Sequence, residues 1–176
     1  MFVETLMYIH RYTSIAIAFA LTVTVSAWPT AAPSKAAPNV ALRDANGATV
    51  QLAAYKGKIV LIDFWASWCP PCKASFPAID ALYGEYRSRG VEVLAVNLDE
   101  RRRDADTFLG DHPHRLTVLF DPNGASPVAF GVKGMPTSFL IDTAGNIRFT
   151  HAGYSGNVDA IYRQEIAQLL AERRQP

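Results

Sequence analysis

Residues 58–64, Lys-Ile-Val-Leu-Ile-Asp-Phe, are apolar almost without interruption, the pattern of a strand covered on both faces. Residues 91–96, Val-Glu-Val-Leu-Ala-Val, repeat it. Between the two, Phe76, Ile79, Leu82, Tyr83 and Tyr86 recur at helical spacing, and Gly90 follows their last turn, so a helix is predicted over about 70–88. Strand, helix and strand then make a βαβ unit with a right-handed crossover. Ahead of it, residues 40–42 and 49–52 flank Asp44-Ala45-Asn46-Gly47, and Asn-Gly is a strong hairpin signal. Beyond it the pattern predicts a helix at 104–109, a strand at 116–120 and a turn at Asp121-Pro122-Asn123-Gly124. A short helix at 126–130 ends at Gly131. Strands 137–141 and 147–151 form a second hairpin. A last helix at 158–173 turns Ile161, Ile166, Leu169 and Leu170 inward, with basic residues near its C-terminus. The predicted architecture is α/β, a central mixed sheet with helices on both faces, in one domain over residues 39–176 without internal repeats.

The first 27 residues do not fit that pattern. His10 and Arg11 precede an apolar run over 15–25, and Val25-Ser26-Ala27 offers small residues for cleavage, the layout of a signal peptide. Later alanine-rich candidates are each followed by proline. The run is short beside the roughly 20 residues of a membrane span, yet residues 12–28 could serve as an uncleaved anchor. No cysteine follows the leader, which excludes a lipoprotein. Residues 28–38 read as a Pro/Ala linker, and either fate of the leader puts the domain outside the cytoplasm, periplasmic or anchored to the inner membrane.

Composition narrows the function. At 176 residues, 49% hydrophobic and 19% charged, the chain is globular. A net charge of +1 gives no electrostatic case for nucleic acid or an anionic membrane surface. Arg101, Arg102 and Arg103 stand among Asp99, Glu100, Asp104 and Asp106 and read as a solvated helix start. His112, His114 and His151 are isolated and read as surface residues.

The two cysteines, Cys69 and Cys72, carry the chemistry. A disulfide between them closes too short a loop to stabilise a domain of this size. A structural zinc would need a second ligand pair that is not there. The pair is therefore reactive, at a strand-to-helix junction. With Cys69 as N-cap, Pro70 and Pro71 take the first helical positions, where a missing N–H costs nothing. Cys72 falls at the third, its N–H aimed at the Cys69 sulfur as at a capping oxygen. That hydrogen bond and the helix dipole favour a Cys69 thiolate as nucleophile. Cys72, less exposed, is suited to resolving a mixed disulfide. The prolines also remove two amide donors that could have solvated the thiolate further.

Trp-Cys-Pro-Pro-Cys-Lys after Asp-Phe-Trp-Ala resembles the thioredoxin superfamily, and more narrowly the exported TlpA, ResA and CcmG/DsbE group. The leader, the N-terminal hairpin and the helix and strand inserted after Val96 carry the narrower likeness, which covers residues 39–172. It implies a thioredoxin-like fold. It implies that Pro136, in Gly131-Val132-Lys133-Gly134-Met135-Pro136-Thr137, is cis and packs on the cysteine pair, and that Met135 pairs its backbone with the substrate. Trp68, Pro70, Pro71 and Met135 are the expected substrate contacts; Trp65 and Trp68 either frame the thiol surface or pack in the core, a reading stronger for Trp65 than for Trp68. Asp63 matches the buried acid of thioredoxin that handles protons for the resolving cysteine; a structural hydrogen bond is the other reading. The lysine that thioredoxins place near this acid is Ala95 here. Residues 96–100 resemble the ResA-like segment that supplies a glutamate near the cysteines, so Glu100 is either a second acid or an exposed helix-start carboxylate.

The resemblance implies a monomeric protein-disulfide reductase with no cofactor beyond its own cysteines. It would carry electrons from a membrane thiol donor to exported proteins such as apocytochrome c or copper-site proteins. An exported disulfide oxidase or isomerase is the alternative within the class. A peroxiredoxin-type peroxidase departs from the Trp68-Cys69 context, and a Sco-like copper-binding protein, which could recruit His151, departs from the CxxC spacing.

Overall fold

The computed structural model of the chain describes residues 35–156 and 158–174. The expected leader and the start of the linker lie outside them. The elements run β1 Lys35–Ala36, β2 Ala41–Arg43, β3 Thr49–Gln51, β4 Ile59–Trp65, α1 Pro70–Tyr86, β5 Val91–Asn97, α2 Arg102–Asp111, β6 Thr117–Phe120, α3 Ala125–Phe130, β7 Thr137–Ile141, β8 Asn146–Ala152 and α4 Val158–Glu172. The strands form one mixed sheet in the order β1-β8-β7-β4-β5-β6-β2-β3. β4, β5 and β6 are parallel, joined by α1 and α2, whereas β7 is antiparallel to β4, and β8 to β7. The fold is thioredoxin-like, as the sequence implies.

Local chemistry explains the joints. The Asp44 carboxylate accepts from the Asn46 and Ala48 amides, and Gly47 supplies the φ of +80° that the first hairpin needs. That hairpin extends the main sheet, with Arg43 of β2 opposite Phe120 of β6. Gly90, at φ +83°, closes the 3₁₀ turn that follows α1.

Alternation along β4 sorts its side chains into two cores. Ile59, Leu61 and Trp65 pack with Phe76, Ile79 and Leu82 of α1, Phe108 of α2, and Tyr162, Ile166 and Leu169 of α4. Val60, Ile62 and Phe64 pack on the other face with Leu42, Leu52 and Phe130. Each large side chain so buried contributes about 1.5–3 kcal/mol. By the same alternation Asp63 points into the first core, the layer that also holds both cysteines.

Three expectations are corrected. The sheet begins at Lys35, inside the segment read as linker, because Lys35 and Ala36 pair with Ile147 and Asn146. Ile161 is 37% exposed: the inward stripe of α4 is Val158, Tyr162, Ile166, Leu169 and Leu170, and Ile161 lies at its rim. The histidines are half-buried rather than on the surface. His112 stacks on Phe108, and the His151 Nε2 lies 2.7 Å from Glu165. Among the described residues no helix is long and apolar enough to cross a membrane.

Candidate active site

The site forms where β4 ends and α1 begins. Cys69 is the N-cap of α1, with extended backbone, and Pro70 and Pro71 occupy the first two helical positions. The Cys72 N–H donates to the Cys69 Sγ at 3.3 Å, and Lys73 N–H to the Cys69 carbonyl at 3.1 Å. Sulfur thus holds the place of a capping oxygen, at the positive end of a 17-residue helix. Cys69 and Cys72 are joined as a disulfide and both are buried. Ser75 Oγ donates to the Cys72 carbonyl at 3.0 Å.

What steadies the turn before the cysteines was not foreseen. Asp99, grouped in the sequence with solvated charges, is only 4% exposed. Its carboxylate accepts from the Ser67 amide at 3.0 Å, the Ser67 hydroxyl at 3.0 Å and the Asn97 side-chain amide at 2.7 Å. The end of β5 is thereby tied to the turn over residues 66–69, itself closed by the Cys69 N–H to the Ala66 carbonyl at 3.1 Å. A neighbouring acid does not join: Glu100 is exposed. Asp99 is disguised in the sequence by the charged run that follows it.

The Met135–Pro136 bond is cis. Pro136 is buried, and Met135 is half-buried against the core that contains the cysteines. Between this loop and the helix start lies an open apolar groove of about 500 Å³, lined by Trp68, Cys69, Pro70 and Pro71 on one side and Leu98, Val132, Gly134 and Met135 on the other. All four expected substrate contacts therefore meet in one groove; Leu98 and Val132 were missed, because only tertiary structure brings them there. Trp68 is 65% exposed at its rim. Trp65 is not part of that surface. It is fully buried, packed on Phe76 and Phe108.

Asp63 sits in the middle of β4, opposite Ala95 on β5 and Ser138 on β7. It is 2% exposed, and burial pushes its carboxyl up to about 7, against the pull of a hydrogen bond from Ser138. Ser138 Oγ lies 2.9 Å from Asp63 Oδ1 and 2.7 Å from the Tyr162 hydroxyl. Among the described residues no cluster of three or more His, Cys, Asp or Glu side chains is placed to hold a metal ion.

This geometry agrees with what the chain is similar to. It is 36% identical over 113 residues to the thiol-disulfide oxidoreductase ResA of Bacillus thuringiensis subsp. konkukian, covering 64% of this chain and 65% of that one. With ResA of Bacillus subtilis the identity is 37% over 111 residues, covering 63% and 62%. The chain thus spans somewhat less than two thirds of the length of these curated relatives. The crystal structure of a thiol:disulfide interchange protein named DsbE, from Chlorobium tepidum, superposes with a TM-score of 0.75 at 43% identity, over 78% of this chain and 96% of that one. The Redoxin family model matches residues 32–166, a span that holds the cysteine pair, the cis-proline loop and the buried acid together. On that match the chain belongs to the Redoxin family.

Proposed function

We propose that the protein is an exported thiol–disulfide oxidoreductase that reduces disulfides in other exported proteins. One observation carries the reading: the Cys72 N–H donates to the Cys69 Sγ at the first turn of α1, beside the apolar groove. An amide and a helix N-terminus aimed at one sulfur favour its anion, the form that attacks. In the reduced protein the Cys69 thiolate attacks one sulfur of a substrate disulfide, forming a mixed disulfide and releasing the other sulfur as a thiolate. Cys72, after losing its proton to Asp63, attacks Cys69. The Cys69–Cys72 disulfide forms, the second substrate thiolate leaves, and two electrons have passed to the substrate. Asp63 is suited to the proton by its burial on the side of the sheet whose core holds the pair and by its carboxyl near 7. Glu100, exposed beyond the end of β5, is the second acid in this reading.

The groove suits a polypeptide. Trp68, Pro70 and Pro71 offer apolar contact for residues flanking a cysteine, while the Met135 backbone offers pairing to an extended chain. Apocytochrome c and copper-site proteins are substrates of this chemistry, and a membrane thiol donor would restore the dithiol. A monomer acting outside the cytoplasm is the form this reading requires, and the names of the similar ResA and DsbE proteins support the exchange chemistry.

Trapping tests it. Cys72→Ala, reduced and exposed to exported proteins of its own compartment, accumulates mixed disulfides through Cys69, and Cys69→Ala does not. A Cys72→Ala chain that traps nothing contradicts the proposal. A reduction potential near that of DsbA reverses the direction of electron flow and makes the protein an oxidase.

A further inference from the structure

Among the described residues no lysine or arginine acts on the buried acid. Its neighbour on β5 is Ala95, and on β7 it is Ser138. What it has instead is a line of hydroxyls, Asp63 Oδ1 to Ser138 Oγ at 2.9 Å and Ser138 Oγ to the Tyr162 hydroxyl at 2.7 Å. We propose that Ser138 and Tyr162 are positioning residues for Asp63, a two-hydroxyl relay that holds its carboxylate and sets the pH at which it exchanges a proton with the resolving cysteine. The inference rests on the role given to Asp63 in the proposed function.

Proton counting fixes the direction of the line. An ionised carboxylate only accepts, so Ser138 must donate to Asp63. A serine hydroxyl has one proton, so toward Tyr162 it offers only lone pairs, and the phenol must donate. Tyr162 is 3% exposed, and burial raises its pKa, which keeps the phenolic proton in place. The relay therefore points two aligned O–H dipoles at Asp63 in a low-dielectric layer, where such hydrogen bonds are strengthened. Ser138 engages one oxygen only, and the proton is carried on the other.

The groups around the relay are few. The core layer that includes Tyr162 also holds Cys72 of α1 and Cys69 at its cap. α4 contributes Glu165 and Asp159, both of which act on Tyr162. From β8, His151 stands opposite Ser138, its ring edge-on to Tyr162 at 4.9 Å and its Nε2 bound to Glu165. β5 brings only Ala95 opposite Asp63. With no such cation among the described residues, the Ser138 hydrogen bond is what favours the charge on Asp63. During resolution the Cys72 S–H proton moves to Asp63, the Cys72 sulfur bonds to Cys69, and the Cys69–substrate bond breaks with its electron pair on the substrate sulfur. Asp63 must be ionised to begin and protonated at the end.

The test uses the full chain. The Asp63 carboxyl is followed by infrared difference titration in the oxidised protein, with Asp63→Asn to identify its band. The pH profile of mixed-disulfide resolution is measured in parallel. Ser138→Ala moves the Asp63 midpoint up by about one pH unit, the value of one lost hydrogen bond to a charge. The resolution profile moves with it, Tyr162→Phe gives a smaller shift in the same direction, and Ser138→Thr restores the wild-type midpoint. An Asp63 midpoint that stays put in Ser138→Ala overturns the relay. If that variant does not fold, Tyr162→Phe decides in the same way, since it keeps the ring and loses only the hydroxyl. Should Asp63→Asn leave the resolution profile unchanged, the positioning role in resolution falls, even where the infrared midpoint still responds to Ser138. Failure to reduce any disulfide would sink the proposed function and leave that infrared response intact, so the two failures are distinct.

Discussion

Replacing Asp63 by asparagine removes a titrating group from the core while keeping its shape, and its consequence for stability can be worked out from the structure. The Asp63 carboxyl stands at about 7 in the folded chain against an ordinary value of 3.8. The native state therefore holds a proton that the unfolded chain releases over much of the range between those values. Where the native state binds more protons, stability falls as pH rises. The loss starts near pH 4, grows through the acid range, and is complete just above pH 7. At 1.36 kcal/mol per unit it reaches about 4 kcal/mol, of which somewhat more than half, about 2–3 kcal/mol, falls between pH 5 and pH 8. That is a sizeable share of the 5–15 kcal/mol typical of a domain. Asparagine carries none of it. Urea unfolding of the oxidised chain, followed by tryptophan fluorescence at pH 5 and pH 8, compares the two proteins with no cysteine proton involved. Asp63→Asn gains about 2–3 kcal/mol on wild type over that interval. Parallel behaviour, with the difference constant to within about 0.5 kcal/mol, refutes the reasoning.

Other outcomes follow from the same geometry. Asp99→Ala strands the Ser67 and Asn97 donors at the turn before the cysteines; unfolding measurements show a loss of about 3 kcal/mol, and disulfide exchange slows as the turn loosens. Trp68→Ala, at an exposed rim position, changes stability by less than about 0.5 kcal/mol, while exchange with an apolar disulfide-containing peptide falls more than exchange with a small-molecule disulfide. Glu100→Gln tests the surface acid: if Glu100 shares the proton with Asp63, the acid limb of the exchange-rate profile moves, and an unmoved profile leaves Asp63 as the one acid in the account.

Much of this was legible in the chain because the signals are local. The apolar runs of β4 and β5, the Asn-Gly turn and the proline pair after Cys69 each act within a few residues, and each element lies within a few residues of its expected place. The N-cap role of Cys69 was readable for the same reason, since spacing alone puts the Cys72 amide at the third helical position. What escaped depends on register across the sheet. Ser138 faces Asp63 only because β7 pairs with β4, 75 residues apart in sequence, and Tyr162 reaches Ser138 only through the docking of α4. Leu98 and Val132 enter the groove from loops whose positions no periodicity records. Asp99 shows the opposite difficulty. A charged neighbourhood implied solvent, yet three donors wait for that one carboxylate, so it is buried while Glu100 beside it is not.

The account turns on which sulfur attacks. Reducing the Cys69–Cys72 disulfide, adding limiting iodoacetamide at neutral pH and locating the label by peptide mass measures this directly. The account predicts the label on Cys69, with Cys72 modified only in excess reagent, and loss of disulfide-reducing activity in step with Cys69 labelling. Label found first on Cys72, or activity that survives full modification of Cys69, contradicts it.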